Sequence, residues 1–257
     1  MDAKLRWDTP LWRVTGYAIG IGTQLCFAVT VVFLFLYLRY GGSHESENWL
    51  TVDTVLALQF AIVHSLILLP SSRALINKFV PSQLYGNLFC VATCIGLWLV
   101  FAYWQVSTSV VWDATGWAQT AVLTGFYSSW ISLLLSLRLT GFGYQTGWTQ
   151  WLHWVRREAL PRRPFVERGA YRWLRHPVYL SFLGLIWFTP RMTADHVVLT
   201  GVWTAYIFLG SFLKDRRLVY YLGDTYRDYA SRVPGYPGMV AGPLAKWERP
   251  VVAKKAA

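Results

Sequence analysis

The stretch Tyr17-Ala-Ile-Gly-Ile-Gly-Thr-Gln-Leu-Cys-Phe-Ala-Val-Thr-Val-Val-Phe-Leu-Phe-Leu-Tyr-Leu38 contains no charged residue. As a helix it is long enough to cross a hydrocarbon layer of about 30 Å. Lys4, Arg6 and Arg13 precede it and no small-residue cleavage site follows, so it reads as an uncleaved membrane span rather than a signal peptide. Three further runs repeat the pattern: Leu50 to Leu69, ended by Pro70, then Tyr85 to Val106 and Trp117 to Leu139. After a polar stretch from Thr140 to Arg175, Val178 to Phe188 is apolar but too short to cross alone. A last run from Asp195 to Leu213 continues unbroken to Leu222. These two segments read as a helical hairpin with Thr189-Pro190-Arg191-Met192-Thr193 at its turn. The expected fold is an all-α polytopic membrane protein of about five to six transmembrane helices. One integral domain is expected, organised as a four-helix part over 1–140, a catalytic loop, hairpin and C-terminal helix over 141–234, and an extended tail over 235–257.

The composition agrees with that reading. Of 257 residues, 54% are hydrophobic and 14% charged, against about 25% charged in a soluble domain. That excludes disorder, a disulfide scaffold and an ordinary soluble enzyme. The net charge of +11 would ordinarily suggest nucleic acid, but 22 of the 24 Lys and Arg fall in residues 1–13, 70–84, 138–175 and 214–257. The alternate loops carry Glu45, Glu47, Asp53, Asp113 and Asp195 against Arg39 and Arg191 alone. The charge is a topology signal that places both termini in the cytoplasm, reinforced by contact with anionic membrane lipids, and no nucleic-acid partner is needed. Cys26, Cys90 and Cys94 lie in apolar runs without metal spacing, so neither a metal site nor a disulfide is expected.

Helix packing is also written in part. Gly125, Ser129, Ser132 and Ser136 form a small-residue stripe suited to close helix approach. Trp148, Trp151 and Val155 share one face of a short amphipathic helix that carries Arg156 and Arg157, with its rings expected at headgroup level. The Gly141-Phe-Gly143-Tyr-Gln-Thr-Gly147 segment lacks dinucleotide spacing and follows no strand. With no loop large enough for a nucleotide-binding domain, any cofactor must sit among helix ends and cytoplasmic loops.

Candidate functional residues gather at that side. His64, beside Ser65 near the cytoplasmic end of the second span, is a pocket candidate because an ionisable group inside a membrane is costly. Asp53, on the same helical face, lies about 16 Å away along the axis. The densest cluster is Gly169-Ala-Tyr171-Arg172-Trp-Leu-Arg175-His176-Pro177-Val-Tyr179-Leu-Ser181, where a basic loop enters a helix. Pro177 suits the first helical turn, which leaves His176 just outside it and Tyr179 one turn deeper. A second cluster is Lys214-Asp215-Arg216-Arg217-Leu218, followed by Gly223-Asp-Thr-Tyr226-Arg-Asp-Tyr229-Ala-Ser-Arg232-Val-Pro234. Asp224 is placed to cap a short helix after Gly223, and Arg216 and Arg217 read as a solvated exit from the membrane.

In order and spacing, these segments resemble the membrane methyltransferases related to isoprenylcysteine carboxyl methyltransferase. That pattern runs Arg-His-Pro-x-Tyr, an acidic pair, Gly-x-x-Tyr-x-x-Tyr and Val-Pro, matched here over residues 169–234. Within that superfamily the chain is most similar to the methanethiol S-methyltransferases. The likeness rests on Phe188-Thr-Pro190-Arg-Met192-Thr193, His196, Thr204-Ala-Tyr206-Ile207, and Gln59-Phe60 to His64-Ser65 followed by Arg73. Lys214 stands where the family has the first carboxylate, and Ser181 where it has a glycine. The resemblance implies S-adenosyl-L-methionine as cofactor, held by Arg175, His176, Pro177, Tyr179, Asp215, Tyr226 and Tyr229, with the tyrosines and Arg232 at a polar mouth. Asp215, His64 and Arg232 are the implied catalytic residues, and a small thiol, methanethiol, is the implied substrate, giving dimethyl sulfide. The thiol must react as thiolate; His64, His196 or simple pre-ionisation are open as the means. Two other enzymes carry related patterns: an isoprenylcysteine-type carboxyl methyltransferase and a sterol-reductase-like NADPH enzyme. The Gly-Asp that reductases place after the His-Pro-x-Tyr motif is here Leu180-Ser181. A non-catalytic membrane protein that kept the fold is a third alternative.

Overall fold

The apolar runs fold as helices because a backbone in hydrocarbon must satisfy its own hydrogen bonds. The computed structural model describes residues 9–42, 44–160, 165 and 167–248. Lys4, Arg6, Pro250 and both chain termini, on which part of the topology reading rests, lie outside the described residues. Five helices are long and apolar enough to span a membrane: α1 (Pro10–Tyr40), α2 (Trp49–Ile67), α4 (Tyr85–Tyr103), α5 (Gly116–Thr140) and α9 (Ala194–Leu222). Between them lie α3 (Pro70–Ile76), α6 (Phe142–Gln145), α7 (Trp148–Arg156), a 3-10 turn at Gly169–Arg172, α8 (Pro177–Trp187) and α10 (Asp224–Arg232). Pro10 and Pro177 each open a helix, where the missing N–H costs nothing. The hairpin of α8 and α9 forms as expected, with α8 short of a full crossing.

α2 packs between α4 and α9, α1 lies against α4, and α5 lies against α8. The small-residue stripe does bring α5 and α8 together. A Cβ on Gly125 would meet the Phe188 ring at 2.8 Å, and one on Gly184 would meet Ser129 Oγ at 2.1 Å. Ser181 turns its hydroxyl to Ser132 at 3.0 Å and to the Pro177 carbonyl at 2.9 Å, so the serine at this position joins two helices.

The end opposite the basic loops is closed by short strands that the helical periodicity did not show. β1 (His44–Glu45) pairs with β2 (Gln105–Val106), so the third span stops at Tyr103 rather than Val106. The Thr189–Thr193 turn is not an isolated loop, because β4 (Arg191–Thr193) pairs antiparallel with β3 (Val110–Asp113). Two buried carboxylates hold the β2 connection. Asp53 Oδ1 accepts the Gln105 N–H at 2.9 Å, and Asp195 accepts the Ser107 N–H and the Trp104 indole N–H, both at 3.0 Å. Asp53 is thus buried and structural. Fixed donors in place of water accommodate Asp195 at both oxygens, while Asp53 is met at Oδ1 and its Oδ2 has no partner among the described residues.

The amphipathic helix α7 forms, but its tryptophans do more than float at headgroup level. Trp151 is buried, its indole N–H donating to the Gly16 carbonyl at 2.8 Å. Cβ atoms on Gly16 and Gly20 would stand 2.2 Å from Trp154 and 2.1 Å from Trp151. The α1 glycines are therefore the seat of the α7 tryptophans. Gly147, at φ +77, lets the start of α7 approach α4 so closely that a Cβ would meet the Asn87 nitrogen at 2.4 Å. Packing explains this glycine without a phosphate. Gly20→Val is expected to cost about 1–3 kcal/mol by overpacking, read as a fall of several degrees in thermal unfolding of the detergent-purified protein. No shift would mean that Trp151 does not sit on α1.

Candidate functional site

At the basic end, the chain entering α8 pairs with the chain leaving α10. The Arg175 N–H donates to the Pro234 carbonyl at 2.9 Å and the His176 N–H to the Gly235 carbonyl at 3.3 Å. Past Gly235 the chain does not run out as an extended tail. Gly235 N–H donates to the Leu244 carbonyl at 2.7 Å, Trp247 N–H to Ala230 at 3.0 Å, and Tyr236, Leu244 and Ala245 are buried. Gly235 is required here, since a Cβ would meet the Leu244 oxygen at 2.7 Å.

Arg175 holds this assembly together. Its side chain is fully enclosed. Nε and Nη2 donate to Asp215 Oδ2 at 3.2 and 3.1 Å. Nη1 donates to the carbonyls of Ala230, Val233 and Ala245 at 3.2, 2.8 and 3.0 Å, and Nη2 reaches Pro243 at 3.3 Å. Trp247 lies over the guanidinium at 5.2 Å. A planar five-donor cation is the one side chain that can satisfy a carboxylate and a fan of carbonyls together. Expected at the cofactor, Arg175 instead has its donors spent inside the protein.

Asp215 is equally enclosed, with no surface of its own. Its Oδ1 accepts the Tyr226 hydroxyl and lies 3.1 Å from His176 Nε2. His176 is fully buried, and neither ring nitrogen makes a well-aligned hydrogen bond among the described residues, although Nε2 has the Asp215 carboxylate beside it and Nδ1 has no polar neighbour. The ring sits between Tyr179 and Tyr236, each with its centroid 5.6 Å away. Burial pushes the imidazole below its ordinary value, against the opposing pull of Asp215. The result is a buried imidazole with one nitrogen beside a carboxylate and the other unclaimed, flanked by aromatic rings. An orphaned buried nitrogen costs free energy unless a ligand meets it.

The other expected residues divide. Pro177 begins α8 and Tyr179 stacks beneath His176, both as the spacing implied. Tyr226 and Tyr229 are brought to the cluster, but as buried supports rather than a mouth: Tyr229 donates to the Tyr171 carbonyl at 2.6 Å. Burial pushes both phenols upward, helped by Asp215 at Tyr226 and by Glu167 at Tyr229. Arg232 is not brought in. It lies on the exposed face of α10, paired with Glu167 at 2.7 and 3.0 Å and with Asp228 at 3.1 Å. Asp224 is the first residue of α10 rather than its cap, and pairs with Arg227 at 3.5 Å. His196 sits at the opposite end, against Thr189 Oγ1 at 3.0 Å. His64 makes its polar contact with α9 instead, its Nδ1 2.5 Å from the Tyr206 hydroxyl. Its ring is caged by Phe60 and Phe89 at 5.6 and 4.9 Å. Arg217, read as a solvated residue, is half-buried. Lys214 Nζ lies 5.1 Å from the centre of the Tyr179 ring.

Against known proteins, no family model and no solved structure matches the chain. Several curated relatives do. A protein of Pseudomonas deceptionensis named methanethiol S-methyltransferase is 31% identical over 199 residues, 74% of each chain. The chain belongs to the methanethiol S-methyltransferase family. Proteins of the same name from a Pseudomonas species and from Mycobacterium tuberculosis are 28% identical over 236 residues and 29% over 228. These alignments cover 86% and 85% of this chain and 89% and 87% of theirs. Rat nurim is 27% identical over 201 residues, 70% of this chain and 76% of its own. With five apolar helices, a member of this family is a membrane methyltransferase. Two features of this methanethiol S-methyltransferase relative escaped sequence reasoning, Tyr236 in the tail and the half-burial of Arg217. Tyr236 stands two residues past the matched Val-Pro, with no periodicity to point it inward.

Proposed function

We propose that this protein transfers a methyl group from S-adenosyl-L-methionine to methanethiol, giving dimethyl sulfide. The observation that carries the reading is the orphaned Nδ1 of His176, held between Tyr179 and Tyr236 in a member of this family. The donor set fits the cofactor: a ring nitrogen for a polar group, and aromatic faces for a cationic or flat one. Bound S-adenosyl-L-methionine supplies an electrophilic methyl carbon on a sulfonium. His176, Tyr179 and Tyr236 are the cofactor-contacting residues. Asp215 acts through His176, fixing its ring, and Arg175 holds Asp215 in place. The cluster is buried, and exclusion of bulk water favours an in-line displacement at a carbon held close to its nucleophile. The thiolate sulfur bonds to the methyl carbon as the sulfonium carbon–sulfur bond breaks, its electron pair staying on the departing thioether. No enzyme-bound intermediate is required.

The distribution of Lys and Arg supports a multi-pass orientation with this end in the cytoplasm. The test is direct. Detergent-purified protein supplied with S-adenosyl-L-methionine and methanethiol is expected to release dimethyl sulfide into the headspace in step with S-adenosylhomocysteine formation. Absence of both products, from protein that S-adenosylhomocysteine does not stabilise against heat, would overturn the reading.

A further inference from the structure

One lane of α9 is unlike the rest of the helix. Tyr206, Gly210, Lys214 and Arg217 fall within about 80° of one another on the helical wheel. Their neighbour on that face, Trp203, is buried, and Tyr206, Lys214 and Arg217 are half-buried, so this side looks into the protein. Yet a Cβ built on Gly210 would meet nothing within 4 Å. Gly201 is similarly open, but it is exposed on the helix surface. Gly210 is half-buried, and on the wheel it lies between Tyr206, which meets His64 of α2, and Lys214, which meets Tyr179 of α8.

Its surroundings are chemically one-sided. One turn toward the opposite end of the helix is the Tyr206 hydroxyl, 2.5 Å from His64 Nδ1. One turn toward the basic end is Lys214, its ammonium 5.1 Å from the Tyr179 ring centre. Arg217, on the same lane of the helix, is half-buried and brings a second cation to that face. The carboxylate nearest in sequence, Asp215, has its oxygens committed to Arg175, His176 and Tyr226. Tyr179 touches both regions, stacking on His176 on one side and on Lys214 on the other. A space lined by two cations, two phenols and a histidine, adjoining the proposed cofactor residues, suits a small anion.

We propose that the open space over Gly210, between Tyr206–His64, Tyr179, Lys214 and Arg217, is the methyl-acceptor site and receives the small thiol as its thiolate. The proposal rests on the thiol methyltransferase reading above. Glycine at this position then sets how large an acceptor fits, and the Lys214 ammonium beside Tyr179 supplies a cation for the thiolate.

Gly210→Leu isolates the idea, because leucine favours a helix more than glycine does and its Cβ meets nothing within 4 Å. The variant is expected to keep its affinity for S-adenosylhomocysteine while its KM for methanethiol rises about tenfold or more, the scale on which pockets discriminate single carbons. In Gly210→Ala, the ratio of kcat/KM for methanethiol over propanethiol is expected to rise about tenfold. This second variant decides the matter if the leucine protein does not accumulate. An unchanged ratio, or an unchanged KM in Gly210→Leu, overturns the site while leaving the activity standing. A wild-type protein that methylates no thiol overturns the activity and the site together.

Discussion

Replacing Arg175 with methionine is expected to unfold the basic end of the protein at a temperature about 10 °C lower. The physical reason is the number of groups that one side chain satisfies. Methionine would leave Asp215 buried without its cation and would strip donors from the carbonyls of Ala230, Val233, Ala245 and Pro243. Removing one partner of a buried ion pair costs about 3–5 kcal/mol, and each kcal/mol moves the midpoint of a chain this size by about 2–4 °C. Arg175→Lys should recover only part of the loss, since an ammonium cannot reach a carboxylate and a fan of carbonyls together. Thermal unfolding in detergent measures both variants. The double variant with Asp215→Asn tests the cause, because it should be less destabilised than the two single changes added together. A midpoint within a degree of wild type in Arg175→Met would show that the guanidinium does not organise this end.

His176→Ala should behave in the opposite manner, folding almost normally while losing the cofactor. Asp215 keeps Arg175 and Tyr226 when the imidazole is gone, so the buried charge remains paired. What disappears is the unclaimed Nδ1 between Tyr179 and Tyr236. A hydrogen bond to a charged group contributes about 1.5–3 kcal/mol, which corresponds to about a 10- to 100-fold weaker affinity for S-adenosylhomocysteine. Calorimetric titration of the purified variant reads that loss directly. Undiminished affinity would remove His176 from the cofactor site and with it the role of Asp215. The two variants separate cleanly, because Arg175→Met should lose both stability and binding, and His176→Ala binding alone.

Much of the architecture was legible because hydrocarbon imposes simple rules. Apolar runs of about twenty residues, bounded by basic loops on alternate sides, admit few arrangements. The shortness of α8, the proline at its first position and the Gly125–Ser136 stripe that receives it could all be read from spacing. The motif order from Arg175 to Pro234 was enough to suggest the family. The roles inside the motif were less visible. Arg175 stands beside His176 in sequence, and both look like ligands, yet consecutive residues in an extended chain point to opposite sides. Only one of them is left with an unclaimed atom. Arg232 was expected at the chemistry because it closes the motif, but α10 turns it outward toward Glu167.

By itself the sequence determined the membrane class, the number and order of spans, the hairpin and the family, because each follows from composition and local periodicity. Tertiary structure decided which polar groups are spent and which are free. The Tyr236 contact with His176 bridges sixty positions, the Trp151 bond to Gly16 spans 135, and the His64–Tyr206 pair 142. No local pattern encodes such pairings. They arise because a buried donor must find an acceptor wherever packing brings one, and Gly210 is open for the complementary reason, that no neighbour was packed against it.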